Sequence, residues 1–150
     1  MQNNLIEIVR ALRTAGHIYI IGDGGSASLA DHFACDLLKN CRLPAISLCS
    51  NTAMITAIGN DYSFDDVFSR QLRTLYRPGD LLVIFSTSGN SKNLVEASLI
   101  ASKVFVISGN DGGRLKEHAT ILFDVESNDQ QESEDRMLIF CHKVVKELNK

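Results

Sequence analysis

At 150 residues, with 45% hydrophobic and 22% charged side chains, the chain has the length of one domain and apolar content for one sizeable core, which excludes disordered and fibrous classes. A net charge of −3 gives no general attraction to nucleic acid or to an anionic membrane, so any anion must be caught by a local arrangement. The amino terminus lacks a basic segment followed by an apolar one, and no apolar stretch approaches the roughly 20 residues of a membrane span, so a cytoplasmic enzyme or regulator is expected.

In chain order, residues 4–15 place Leu5, Ile8, Val9 and Leu12 at helical spacing, with Gly16 as a stop. Residues 17–21 read as a strand that runs into Gly22-Asp23-Gly24-Gly25-Ser26, and a helix is expected from near Ser28, carrying Leu29, His32, Phe33, Asp36 and Leu37. After Pro44, residues 45–49 form another apolar segment that leads through Ser50-Asn51-Thr52 into a helix at 53–58, broken at Asn60-Asp61. Residues 64–75 read as a helix ended by Arg77-Pro78-Gly79. Strands follow at 81–84, 104–108 and 121–125, with a helix opening at 93, a short one at 115–118 and a terminal one at 132–148. Cys35, Cys41, Cys49 and Cys141 show no CxxC spacing and read as reduced thiols.

Apolar strands that alternate with helices predict a parallel sheet covered on both faces, a three-layer α/β/α sandwich built as one domain over residues 1–150. Ligands in such sheets sit beyond the carboxyl ends of the strands. Two loops fall there. One is Gly24-Gly25-Ser26. The other, Phe85-Ser86-Thr87-Ser88-Gly89-Asn90-Ser91, follows an apolar strand and precedes a helix. The hydroxyls of Ser86, Thr87, Ser88 and Ser91 can donate to phosphate oxygens, and helix-opening N–H groups add to them. The same composition also suits an N-cap beside a flexible turn.

Gly22-Asp23-Gly24-Gly25-Ser26-Ala27-Ser28, His32-Phe33-Ala34, Thr56-Ala57-Ile58-Gly59-Asn60-Asp61, Phe68-Ser69-Arg70-Gln71, Arg77-Pro78-Gly79-Asp80 and Ser86-Thr87-Ser88-Gly89-Asn90-Ser91 together resemble the phosphoheptose isomerase branch of the SIS (sugar isomerase) domain family. The resemblance runs from about Ile18 to the carboxyl terminus. It implies a five-stranded parallel, flavodoxin-like sandwich that binds a sugar phosphate at Gly24, Gly25, Ser26, Asn51, Asn60, Asp61, Ser86, Thr87, Ser88 and Ser91. It also implies a homodimer or homotetramer with sites at subunit interfaces. The activity implied is interconversion of sedoheptulose 7-phosphate and D-glycero-D-manno-heptose 7-phosphate.

An aldose and a ketose interconvert through an enediol, which requires a base at carbon, a proton carrier at oxygen and stabilisation of the developing oxyanion. Asp36 stands where the family places a glutamate, four residues after His32 and hence on the same helix face. His142 matches the family histidine. Asp36 is the expected carbon base and His142 the expected proton shuttle at oxygen. From composition alone Asp36 reads equally as a solvated helix carboxylate and His142 as a partly buried histidine. The resemblance further supports a zinc site at His32, Asp36, Glu134 and His142, although Glu134 and His142 lie eight residues apart, about two helical turns. One carboxylate does not easily serve as both metal ligand and free base.

The chain departs from the family at several polar positions. Asp36 replaces glutamate, Glu134 glutamine, Asp23 asparagine and Asn51 aspartate, and Gln131 stands where an acid is common. Asp23 beside a phosphate would be unfavourable, so it is expected to face a sugar hydroxyl or another side chain. Two other functions stay open. One is a non-catalytic SIS module that binds a regulatory phosphosugar or a replication initiator, and the other an isomerase of a related sugar phosphate. The acid at 36 and the histidine at 142 favour an enzyme.

Overall fold

The structure, a computed structural model, describes residues 2–150. Five strands, β1 (Ile18–Ile21), β2 (Ala45–Ser47), β3 (Leu81–Ser86), β4 (Val104–Ser108) and β5 (Ile121–Asp124), form one sheet in the order β2-β1-β3-β4-β5. Every pairing is parallel. Six helices connect and flank them: α1 (Gln2–Thr14), α2 (Gly25–Cys41), α3 (Thr52–Asp61), α4 (Ser69–Leu75), α5 (Lys92–Ser98) and α6 (Gln130–Leu148).

Side chains alternate across the pleat, so each strand feeds two cores. Ile18, Ile20, Leu81, Val83, Phe85, Phe105 and Ile107 point to one face, which α1, α2 and α6 cover with Leu12, Phe33, Leu37, Met137 and Val144. Tyr19, Ile21, Leu82, Ile84, Val104 and Val106 point to the other, covered by Ile58 of α3, Leu72 of α4 and Leu94 of α5. The three-layer architecture expected from the apolar runs is the one observed, because strands buried on both faces cannot alternate apolar with polar residues. Among the described residues, no helix is long and apolar enough to cross a membrane.

Element boundaries differ where main-chain bonding outweighs periodicity. Helix α2 starts at Gly25 rather than near Ser28, because the Asp23 and Gly24 carbonyls already accept from the N–H groups of Ser26 and Ala27, each at 3.0 Å. Helix α3 continues through Asn60 and Asp61. The segment 64–75 divides into a 3-10 turn at Phe64–Asp66 and helix α4, since Val67 and Phe68 both enter the core at consecutive positions. At the amino ends of the strands, the buried Asp80 carboxylate accepts from the N–H groups of His17 and Arg77, both at 2.8 Å, and so ties the entry of β1 to the turn before β3.

Candidate active site

The strand order reverses between β1 and β3, and the loops that leave those two strands open on the same rim of the sheet. In the first loop, Gly24 takes φ 57° and precedes α2, Gly25 is the first residue of that helix, and Ser26 is buried at its start. Asp23 is half-buried, and its Oδ1 accepts from Asn93 Nδ2 of α5 at 2.8 Å. Burial raises its pKa from the ordinary carboxylate value, and the Asn93 bond opposes that rise. Asp23 thus faces another side chain, one of the two surroundings expected for it.

In the second loop, the buried Ser86 Oγ accepts from Gly89 N–H at 3.0 Å, and Ser88 Oγ accepts from Asn90 N–H at 3.2 Å. A hydroxyl that accepts from the main chain keeps its own proton free to donate. The loop is braced from behind by Leu115 N–H to Gly89 O and Arg114 N–H to Asn90 Oδ1, both at 3.0 Å. Ser91 is the N-cap residue of α5; its carbonyl oxygen accepts from the N–H groups of Leu94 at 3.1 Å and Val95 at 3.0 Å, and its side chain makes no capping bond. Thr87 and Ser88 line a cavity of about 350 Å³ together with Asn110, Ser127, Asn128, Gln130 and Ser133. All seven of these side chains are polar and uncharged.

Helices α2 and α6 lie side by side and bring together a second group. His32 Nε2 stands 3.0 Å from His142 Nε2 and 3.3 Å from Asp36 Oδ2, and His142 Nε2 stands 3.9 Å from the same Oδ2. Both imidazoles are about half exposed, whereas the Asp36 side chain is only 17% exposed. The other carboxylate oxygen, Asp36 Oδ1, accepts from Asn40 Nδ2 at 3.0 Å, which leaves Oδ2 aimed at the two rings. These donors fit a metal ion. Tetrahedral zinc with bonds of about 2.0–2.2 Å to nitrogen and oxygen has ligand-to-ligand edges of about 3.3–3.6 Å.

The structure does not bring the fourth expected ligand into this group. Glu134 lies two turns before His142, and its carboxylate rests against Gly25, so close that a Cβ there would meet Oε1 at 2.4 Å. Asn51 is the N-cap of α3, with Oδ1 accepting from Met54 N–H at 3.1 Å. Asn60 and Asp61 are exposed at the end of α3 and bonded to each other at 3.0 Å. None of these three lines the cavity or joins the imidazole pair. Burial pushes the Cys49 thiol up to about 11 and the Cys141 thiol higher still, so neither of these two is activated.

Sequence reasoning missed Asn40, Asn93, Asn110, Ser127, Asn128, Gln130 and Ser133. Only Asn40 carried a local signal, since it stands four residues after Asp36 on one helix. The cavity lies at the start of α6 and His142 nine residues beyond Ser133, a rise of about 14 Å that the backward tilt of helical side chains shortens. The two groups together can hold an anion at one end of an extended ligand and exchange protons at the other.

A family model described as the SIS domain matches residues 4–107. The phosphoheptose isomerase of Campylobacter concisus is 41% identical over 146 residues, covering 91% of this chain and 77% of that protein. The probable phosphoheptose isomerase of Thermoplasma acidophilum is 43% identical over 131 residues, covering 81% and 72%. The solved structure of phosphoheptose isomerase GmhA from Neisseria gonorrhoeae superposes with a TM-score of 0.91 at 34% identity, over 97% of this chain and 86% of that one.

Proposed function

The chain belongs to the SIS domain family, and from that premise we propose that it is an aldose–ketose isomerase of the phosphoheptose isomerase type, a single phosphosugar-binding domain. Its substrate pair is sedoheptulose 7-phosphate and D-glycero-D-manno-heptose 7-phosphate. The observation that carries the assignment is the convergence of Asp36 Oδ2 with the His32 and His142 rings, one helical run away from a hydroxyl-lined cavity.

In this reading the phosphate is held by the hydroxyls of Ser86, Thr87, Ser88 and Ser91 and by the start of α2 at Gly24, Gly25 and Ser26. The extended carbon chain runs along the α2–α6 seam to the imidazole pair. Asp36 takes a proton from C1 of the ketose, and the C2 carbonyl oxygen gains a proton from His142, giving the enediol. His142 then accepts the O1 proton while Asp36 returns a proton to C2, so that one C–H bond breaks, another forms, and no net oxidation occurs. Asn40 orients the base by holding its second oxygen.

His32, Asp36 and His142 would alternatively hold zinc, which would polarise the substrate carbonyl as a Lewis acid in place of the proton transfers assigned to Asp36 and His142, since each of these side chains offers the same atom to either task. The exposed apolar residues Ile6, Leu38 and Ile139 on α1, α2 and α6 support assembly as a homodimer or homotetramer that covers the open side of the histidine pair.

The decisive experiment incubates the protein with sedoheptulose 7-phosphate in deuterated water, with and without zinc. Deuterium is expected at C1 of the ketose and C2 of the aldose; no uptake and no aldose under either condition would refute the assignment. Elemental analysis of the purified protein is expected to find stoichiometric zinc that is lost in His32→Ala. Full activity from a metal-free preparation would remove the metal from the chemistry.

A further inference from the structure

Asp124 ends β5, and neither the phosphate loop nor the imidazole pair touches it. Its half-buried carboxylate accepts from the backbone N–H of Asp111 with one oxygen and from that of Glu126, at 2.7 Å, with the other. Both donors are non-glycine residues in the left-handed region, Asp111 at φ 61° and Glu126 at φ 57°. Side chains with a Cβ keep that conformation only where their surroundings hold it. One carboxylate therefore fixes two bends in two separate loops, the one after β4 and the one after β5.

Those loops form the outer wall of the cavity beside Thr87 and Ser88. Asn110 of the first donates through Nδ2 to Asn128 Oδ1 of the second, and both side chains line the cavity. The roots of the loops are joined by Ser127 N–H to Gly109 O at 2.7 Å. The two bends that Asp124 holds flank the meeting of Asn110 and Asn128, with Asp111 directly after Asn110 in the first loop and Glu126 two residues before Asn128 in the second. A carboxylate suits this task because both of its oxygens accept. An asparagine would turn an NH₂ group toward one of the two N–H donors.

We propose that Asp124 is a positioning residue for sugar-phosphate binding, setting the two loops so that Asn110 and Asn128 close the cavity wall around the bound ligand. This rests on the reading of that cavity as part of the substrate site. The role acts on capture of the substrate and not on proton transfer, since the loops lie at the far end of α6 from His142.

The test compares Asp124→Asn with Asp80→Asn, which loosens the opposite end of the sheet. Asp124→Asn is expected to raise KM for sedoheptulose 7-phosphate about tenfold while kcat stays within about twofold, and Asp80→Asn to lower Tm without moving KM. In the absence of substrate, amide hydrogen exchange at Asp111 and Glu126 is expected to accelerate together in Asp124→Asn. An unchanged KM accompanied only by a lower Tm, or exchange that stays slow at either amide, would overturn the proposal. The exchange readout needs no ligand. A wild-type chain without isomerase activity would thus count against the function, while exchange still decided whether the carboxylate holds the loops.

Discussion

Replacing His142 with alanine is expected to lower kcat by about a thousandfold, within the range that a positioned acid–base group contributes, while the protein stays folded. The ring is about half exposed and its polar contacts are with His32 and Asp36, so its removal opens no core cavity. Asp36→Ala should reach a similar loss by a different route, since it removes the base at carbon. Deuterium exchange separates the two: Asp36→Ala abolishes uptake at carbon, whereas His142→Ala slows uptake less than net isomerisation, because the C–H step survives in part. Steady-state rates with unfolding curves for each variant provide the check. A His142→Ala protein with near wild-type kcat would eliminate the shuttle.

Gly89→Ala is expected to damage binding and stability together. Gly89 sits at φ 67°, where an alanine is strained by about 1–2 kcal/mol. A Cβ there would also meet the Gly112 carbonyl oxygen at 2.0 Å, and that contact is with backbone, which cannot swing aside as a side chain could. The loop must separate from the Gly112–Gly113 turn behind it, releasing the bonds from Leu115 N–H and Arg114 N–H. A destabilisation of roughly 3 kcal/mol follows, read as a fall in Tm of roughly 10 °C for a chain of this size. Affinity for a sugar phosphate should fall by at least about tenfold, because Ser86 Oγ loses the N–H that orients it. Gly24→Ala is the useful contrast: it shares the positive φ, but a Cβ there meets nothing within 4 Å. Equal Tm values for Gly89→Ala and the wild type would refute the close-contact argument.

The sheet was legible in the sequence because doubly covered strands leave continuous apolar runs, and each of the five runs became a strand. The His32–Asp36 pair was legible for a similar reason, since a four-residue interval on a helix fixes a common face. The convergence of His142 on that pair came from family resemblance, because no local spacing reports which turn of α6 meets which turn of α2. Side-chain direction was least accessible. Glu134 has the right residue type on the right helix, yet its carboxylate leans onto Gly25, a contact between residues more than a hundred positions apart. The bond between Asp23 and Asn93 spans 70 positions: that another side chain would face Asp23 was among the expectations, but its identity was not legible. The cavity wall was not foreseen, because Asn110, Ser127 and Asn128 lie in loops that carry no periodicity and are shaped by Asp124 and by Arg136, which donates to the Val125 and Glu126 carbonyls.

The absence of lysine and arginine from the seven side chains around Thr87 and Ser88 governs how such a site meets its ligand. Mobile counterions weaken attraction between full charges over a Debye length of about 8–10 Å, but they have little purchase on hydrogen bonds made at contact distance. Occupancy of this site should therefore change little between dilute buffer and strong salt. A chain of charge −3 also exerts no long-range pull on an approaching dianion, so encounter proceeds at the ordinary pace of undirected diffusion. Selectivity rests on how many oxygen atoms the rim can satisfy at once, which favours a tetrahedral oxyanion over a planar carboxylate of equal charge.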